Sequence, residues 1–424
     1  MLDIKFIREN PSLIQKAAEN KGVRVNIDHL LEIDRKYREL SQEVQALREE
    51  RNKYARLLSP NAQAIGGQAK EKNIEKGKEL KIKLEKEENA LKAIEEELDL
   101  ELIKVPNPAK KDVKEGKDET ENEILRKEGN IPSFDFSPKD HLELGVNLDI
   151  IDIERASKIS GTRFYFLKNE GVLLEFALKQ YAFEVLMGEG FIPVLPPVLI
   201  KKDVMKGLGY MESGGDEEMY IFDKDELVLV GTSEQSIVPM HKDEMLDVGK
   251  LPLRYVGFST CFRREAGSYG KDTKGILRAH QFDKVEMVSY VKEGDDDREH
   301  LYLLSIEERF LKDLKLPYQV VKMCTGDLGF PAARIYDLEG WIPSQNKYRE
   351  LTSTSTTTDF QSRRLNIKAR EKNKTSYVSI LNGTAFSTRP IIAILENYQQ
   401  KDGSVEIPKV LQKFTKFTKI SPKK

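Results

Sequence analysis

The sequence predicts an α+β chain: an antiparallel β-sheet core flanked by helices, preceded by an N-terminal arm of two antiparallel coiled-coil helices. Three observations carry that expectation. Apolar or aromatic residues fall at Ile33, Tyr37, Leu40, Val44, Leu47, Tyr54 and Leu58, and again at Leu80, Leu84, Leu91, Ile94, Leu98 and Leu102, the spacing of a narrow helical seam. Residues 253–260 and 281–290 alternate or run apolar around a polar, glycine-containing segment, as the two strands of a long hairpin do. A phosphate loop is missing, because Gly270-Lys271 is followed by Asp272 and Glu265 stands five residues before Gly270. Any nucleotide bound by this chain is therefore not held by a strand, glycine loop and helix of that kind.

Taken in order, the chain opens with a helical piece over residues 3–20, and the long seam follows. Ser59-Pro60-Asn61 and then Gly66-Gly67 interrupt the seam, so the two halves fold back on each other. Thirty-odd residues per helix, at about 1.5 Å each, make an arm on the order of 45 Å long. Such a pattern more often serves as a spacer or a dimerisation coil than as a binding arm. Val105-Pro106-Asn107-Pro108 stops the second helix, since proline removes a donor and restricts its predecessor. Charged, nearly patternless residues follow. The expected division is an arm domain over 1–110, a charged and nearly structureless linker over 111–130, and a catalytic domain over 131–424.

Within that last part, residues 173–187 read as an apolar helix and 190–197 as a following strand ending at Pro196-Pro197. A short strand over 227–230 runs into Thr232-Ser233-Glu234, where a hydroxyl and a carboxylate two apart share a face. Arg263, Arg264 and Glu265 close the first hairpin strand, and Arg278 with His280 opens the second. Guanidinium groups crowded at the loop base call for an anion between them, and Arg suits bidentate phosphate or carboxylate recognition. A polyphosphate is the natural candidate. Glu350 and Ser353 are hard oxygen groups suited to a divalent ion carried by phosphates, and Arg389 opens an apolar helix.

Length and composition agree with this reading. A chain of 424 residues accommodates two domains, and its formal net charge of -2 argues against a globally basic nucleic-acid binder, so any such contact comes from local patches. No run approaches the roughly 20 apolar residues of a membrane span, so no membrane partner is expected. The start, with Lys, Arg and Glu among its apolar residues, lacks the apolar stretch of a signal peptide. Two cysteines, Cys261 and Cys324, are too few for a disulfide framework or a four-cysteine zinc site, and a reducing, cytoplasmic setting is the expectation.

The run Arg263-Arg264-Glu265, then Gly267, Gly270, Asp272 and Gly275, then Arg278-Ala279-His280-Gln281-Phe282-Asp283-Lys284-Val285-Glu286 closely resembles motif 2 of class II aminoacyl-tRNA synthetases, in its seryl-tRNA synthetase form. The resemblance extends over nearly the whole chain and implies a bacterial-type enzyme without protein-bound zinc. It implies a helical arm that grips the serine tRNA; with Glu as abundant as Lys and Arg along the arm, no single residue is assigned a contact. The helix and strand ending at Pro197 resemble motif 1, through which the family builds its homodimer. Thr232-Ser233-Glu234 resembles the serine-specificity element, with Ser233 in place of the usual alanine. Glu350-Leu351-Thr352-Ser353 stands where the family has an ATP and magnesium element, although Thr354, Thr356, Thr357 and Thr358 depart from its usual sequence. Arg389 resembles the motif 3 arginine, after a loop from Asn382 that is one residue short.

Carried over residue by residue, the resemblance implies that Arg263 holds the α-phosphate and the serine carboxylate, Glu265 the adenine amino group, and Arg278 and Arg389 the terminal phosphates. Phe282 stacks on adenine, and Arg264, Leu351 and Thr352 complete the ATP site. Mg2+ sits at Glu350 and Ser353. Serine is bound by Thr232, Ser233, Glu234, Arg263, Glu286 and Thr384. The implied reaction is serine–tRNA ligation: L-serine and ATP form seryl-adenylate, and the seryl group passes to the 3′ end of tRNA(Ser), with tRNA(Sec) a further acceptor. A ligase acting on another carrier, or a non-catalytic homologue, are the competing readings; loss of the arm would favour the first and loss of the clamping arginines the second. The sequence retains both.

Overall fold

A computed structural model describes residues 1–57, 67–212, 214–266, 275–372 and 374–423. The chain divides into two compact units, Met1–Pro106 and Asn107–Lys424.

In the first unit the helix expected over 3–20 is two helices, α1 (Ile4–Glu9) and α2 (Pro11–Asn20). Pro11 explains the break: it lacks the donor that a continuous helix needs, and it is well suited to the first position of a new one. The arm is α3 (Ile27–Leu57) and α4 (Gly67–Leu102), packed on each other. Val44, Leu47, Leu80 and Leu84 form its buried seam with Tyr54 and Leu91 against them, and Lys83 bridges to Glu43 at 2.9 Å. Leu58, the Ser59-Pro60-Asn61 break and Gly66 lie outside the described residues.

The second unit is built on an eight-stranded sheet, the largest among the described residues. Its strands are β1 (Glu123–Glu128), β2 (Ile192–Val194), β3 (Leu253–Phe262), β4 (Gln281–Val291), β5 (Tyr318–Lys322), β6 (Arg334–Ile342), β7 (Lys347–Thr356) and β8 (Ser379–Ser387). They lie in the order β1-β5-β6-β7-β8-β4-β3-β2, antiparallel throughout except for the β2–β3 edge pair. Helices α5 (Glu170–Gly188), α6 (Asp296–Asp313) and α7 (Arg389–Asn397) supply apolar faces to the main core, with Leu178, Tyr181, Phe310, Phe386 and Ile394 at its centre.

The charged linker expected over 111–130, nearly structureless by composition, contains a strand. Its second half is β1, hydrogen-bonded to β5 at the sheet edge. All six residues of β1 are exposed, so the strand carries no apolar alternation for a sequence reading to detect. Backbone pairing and the Arg126–Glu308 bridge at 2.7 Å hold it instead.

The predicted hairpin forms with unbroken register, Gln281 opposite Phe262 through Tyr290 opposite Leu253. Two neighbouring strands depart from simple alternation. Opposite Leu338 and Glu339 of β6, strand β7 carries Thr352 and Glu350, so Leu351 is an extra residue. Opposite Val285 and Glu286 of β4, strand β8 carries Phe386 and Thr384, so Ala385 is extra. Each bulge changes which side chains face which side of the sheet.

Candidate active site

The cavity above the centre of the sheet has a volume of about 580 Å³. Its floor follows from strand alternation. Ser353, Ser355 and Thr357 face it from the β7 side, while Thr354 and Thr356 turn behind, where their hydroxyls donate to Asn382 O at 2.8 Å and Asp296 Oδ2 at 3.0 Å. Of the four threonines that depart from the family pattern, only Thr357 therefore lines the cavity. In a regular strand Glu350, three residues from Ser353, would face the opposite side. The bulge at Leu351 turns it into the cavity beside Ser353.

On β8 the bulge does the same work. Ala385 and Phe386 both enter the core, so Asn382, Thr384 and Ser387 all reach the cavity. The segment read as a short loop between Asn382 and Arg389 is thus mostly strand. Thr384 lies directly across from Glu286, which brings a hydroxyl and a carboxylate side by side.

Arginines converge from three elements. Arg263 follows β3, with its Nε donating to Gly231 O at 3.1 Å and its guanidinium 5.3 Å from the Phe282 ring centre. Arg278 lies 3.3 Å from Glu265, which adopts a positive φ of 51°. Arg389, the first residue of α7, is 2.8 Å from Glu350 Oε2. Burial pushes the Glu350 carboxyl up, but Arg389, with Arg263 and Lys284 beyond it, outweighs burial and holds it below its ordinary value. An ionised carboxylate and a hydroxyl on one face are hard donors that fit a magnesium ion.

At the other end of the cavity, Thr232 and Glu234 sit at the start of a short helix, Glu234–Ile237, rather than on the strand before it. Tyr210 donates its hydroxyl to Glu234. Lys284 Nζ lies 3.0 Å from Glu286 Oε2 and 3.4 Å from Thr232 Oγ1. Burial raises the Glu286 carboxyl to about 7; Lys284 opposes the rise and the neighbouring Glu234 adds to it.

Most residues singled out in the sequence meet here: Thr232, Glu234 and Glu286 at one end, Arg263, Glu265, Arg278 and Phe282 along the hairpin base, and Glu350, Leu351, Ser353, Thr384 and Arg389 across the floor. Three do not. Ser233 is buried and its hydroxyl donates to Gly257 O at 3.3 Å, because the turn into the short helix points it inward. Thr352 faces behind the sheet and donates to Glu307 at 3.1 Å. Arg264 is exposed, outside the cavity lining. The glycines at 267 and 270 and Asp272 lie outside the described residues. Pro197 lies away from the cavity, its carbonyl accepting from Ser236.

Sequence reasoning assigned no role to Lys284, Asn382 or Tyr210. Alternation was the available signal for the first two, since Phe282, Lys284 and Glu286 share one strand face and Asn382 shares another with Thr384. Tyr210 reaches Glu234 across the fold and left no local trace.

An antiparallel sheet whose hairpin base, bulged floor strand and helix-opening arginine surround one cavity defines a class II aminoacyl-tRNA synthetase core. The family model for the tRNA synthetase class II core domain (G, H, P, S and T) matches residues 219–398, and the model for the seryl-tRNA synthetase N-terminal domain matches residues 1–109. The chain belongs to the seryl-tRNA synthetase family. It is 43% identical to the serine–tRNA ligase of Dictyoglomus thermophilum over 100% of both chains, and 42% identical to that of Borrelia recurrentis, again over the whole of both. Among solved structures, seryl-tRNA synthetase from Pyrococcus horikoshii complexed with ATP superposes with a TM-score of 0.93 at 38% identity, covering 100% of both chains. The cytoplasmic serine–tRNA ligase of Naegleria fowleri in complex with AMP gives 0.88 at 30% identity, covering 100% of this chain and 99% of that one.

Proposed function

We propose that this chain activates L-serine with ATP in the central cavity and transfers the seryl group to the 3′ end of tRNA(Ser), with tRNA(Sec) as a further acceptor. The observation that carries the serine assignment is the cross-strand pairing of Glu286 with Thr384, flanked by Thr232 and Glu234. Two carboxylates and two hydroxyls gathered at one end of a cavity that carries Arg263, Arg278 and Arg389 elsewhere suit a small zwitterion bearing a hydroxyl group. A site built to bond an OH rejects analogues lacking it by about 10⁴ to 10⁵, because its buried partners are left unpaired.

In this reading a serine carboxylate oxygen bonds to the α-phosphorus as the bond to the β-phosphate oxygen breaks and pyrophosphate leaves. The carboxylate is ionised at neutral pH, so no general base is needed. Arg263 orients the carboxylate and the α-phosphate, while Arg278 and Arg389 offset charge on the terminal phosphates. Phe282 supplies a face for adenine and Glu265 an acceptor for its amino group. Glu350 and Ser353 would hold Mg2+, which when bound neutralises phosphate charge. A terminal ribose hydroxyl of the tRNA then attacks the seryl carbonyl and releases AMP.

The arm is assigned to tRNA binding and the segment around Pro197 to a homodimer interface in a cytoplasmic enzyme. Leu173, Phe176, Ile192 and Leu195 are exposed around that segment in the single chain, which supports the second assignment. Pyrophosphate exchange with serine, threonine, alanine, glycine and cysteine, followed by charging of tRNA(Ser), tests the proposal. Exchange with serine alone and subsequent charging are expected; preference for another amino acid, or activation without charging, refutes it.

A further inference from the structure

We propose that Lys284 is a positioning residue of the serine pocket: its ammonium holds the Glu286 carboxylate and the Thr232 hydroxyl in the arrangement that receives the substrate's hydroxyl and amino groups. The inference rests on the serine reading above.

Lys284 occupies the middle position of the cavity face of β4, between Phe282 on the nucleotide side and Glu286 on the amino-acid side. Its side chain is only 13% exposed, and its one charge lies within 3.4 Å of two pocket groups from different elements. The other charged groups around Glu286 make that contact consequential. Glu234 approaches from the short helix, with the Tyr210 hydroxyl already on it. Glu307 lies behind the sheet on α6, fully buried, accepting from Thr352. Arg263 is the other nearby cation, and its Nε is committed to the Gly231 carbonyl. Without Lys284, Glu286 would face the Glu234 and Glu307 carboxyl groups with the weaker influence of Arg263 favouring its charged form. Burial already raises its carboxyl to about 7, so the charge of Lys284 weighs on which form meets the substrate.

A lysine that served only the packing of the fold would affect folding stability and leave the pH dependence of serine use unchanged. The two roles separate in the pH profile of kcat/KM for serine, measured by pyrophosphate exchange in the full-length chain. The carboxylate form of Glu286 accepts the serine hydroxyl, so the wild-type profile rises with pH as that group loses its proton. Lys284→Gln is expected to move this ascending limb upward by about one to three pH units and to lower kcat/KM for serine at pH 7 by about 5- to 500-fold. KM for ATP is expected to change less than kcat/KM for serine, because Arg389 remains beside Glu350. Lys284→Arg keeps the charge and is expected to keep the limb in place; a displaced limb in that variant overturns the proposal even if the glutamine variant does not fold. An unmoved limb in Lys284→Gln overturns it as well. Absence of serine-dependent exchange in the wild-type chain refutes the proposed function itself, an outcome distinct from either of these.

Discussion

The arm and the sheet domain use buried residues in opposite ways. In the arm, the packed seam is aliphatic and aromatic, Val44, Leu47, Leu80 and Leu84 with Tyr54 and Leu91, and the charged residues lie mainly outside it. In the sheet domain, the buried residues include Glu286 in the cavity wall and Glu307, Asp337 and His300 outside its lining. Burial drives the Glu307 and Asp337 carboxyls well above their ordinary values and lowers His300 to about 3. A one-dimensional seam needs only periodic apolar residues, whereas a chemical site retains polar groups in surroundings that oppose their charge. A substitution in the arm should therefore change tRNA handling or local stability, and one in the sheet should change chemistry.

The largest effect that would sharpen this contrast is expected from Glu286→Ala. Serine-dependent pyrophosphate exchange should fall by about 10³-fold or more, because the pocket loses the acceptor opposite Thr384 while Lys284 is left without its partner. The circular dichroism spectrum should remain that of the wild type; near-normal exchange would remove Glu286 from the site.

Replacing residues 28–101 by a short flexible connection should produce the complementary pattern. Charging of tRNA(Ser) should fall on the order of 10³-fold as phosphate contacts are lost. Exchange without tRNA should stay within about twofold of wild type, as expected for separate compact units. Equal loss of both activities would break the contrast by showing that the arm supports the chemistry directly.

The smallest effect on activity is expected from Leu84→Ala in the seam. It removes a buried side chain and should cost the arm about 2–3 kcal/mol, read as faster amide exchange along α3 and α4. Serine activation should be unaffected. A loss of exchange activity here would mean that arm packing is transmitted to the cavity.

Much of this molecule was legible from local pattern. Heptad spacing identified both arm helices, alternation identified the hairpin, and the run from Arg263 to Glu286 led to the family and to most of the cavity. What was missed shares one physical character: β1 has no apolar face, Tyr210 meets Glu234 only through the fold, and the inward turn of Ser233 depends on the helix that begins after it.

By itself the sequence determined the arm helices, the central hairpin and the helix before Pro197, because propensity, capping and periodicity act among residues close in the chain. Tertiary structure alone decided which side of the sheet several functional groups face. The extra residue Leu351 in β7 turns Glu350 toward Ser353, and Ala385 in β8 sends Phe386 into the core and Ser387 into the cavity. Both bulges are defined only against partner strands distant in sequence. A one-residue shift in pairing reverses the facing of every later side chain, so a site on a sheet is set by register, which arises when the strands meet.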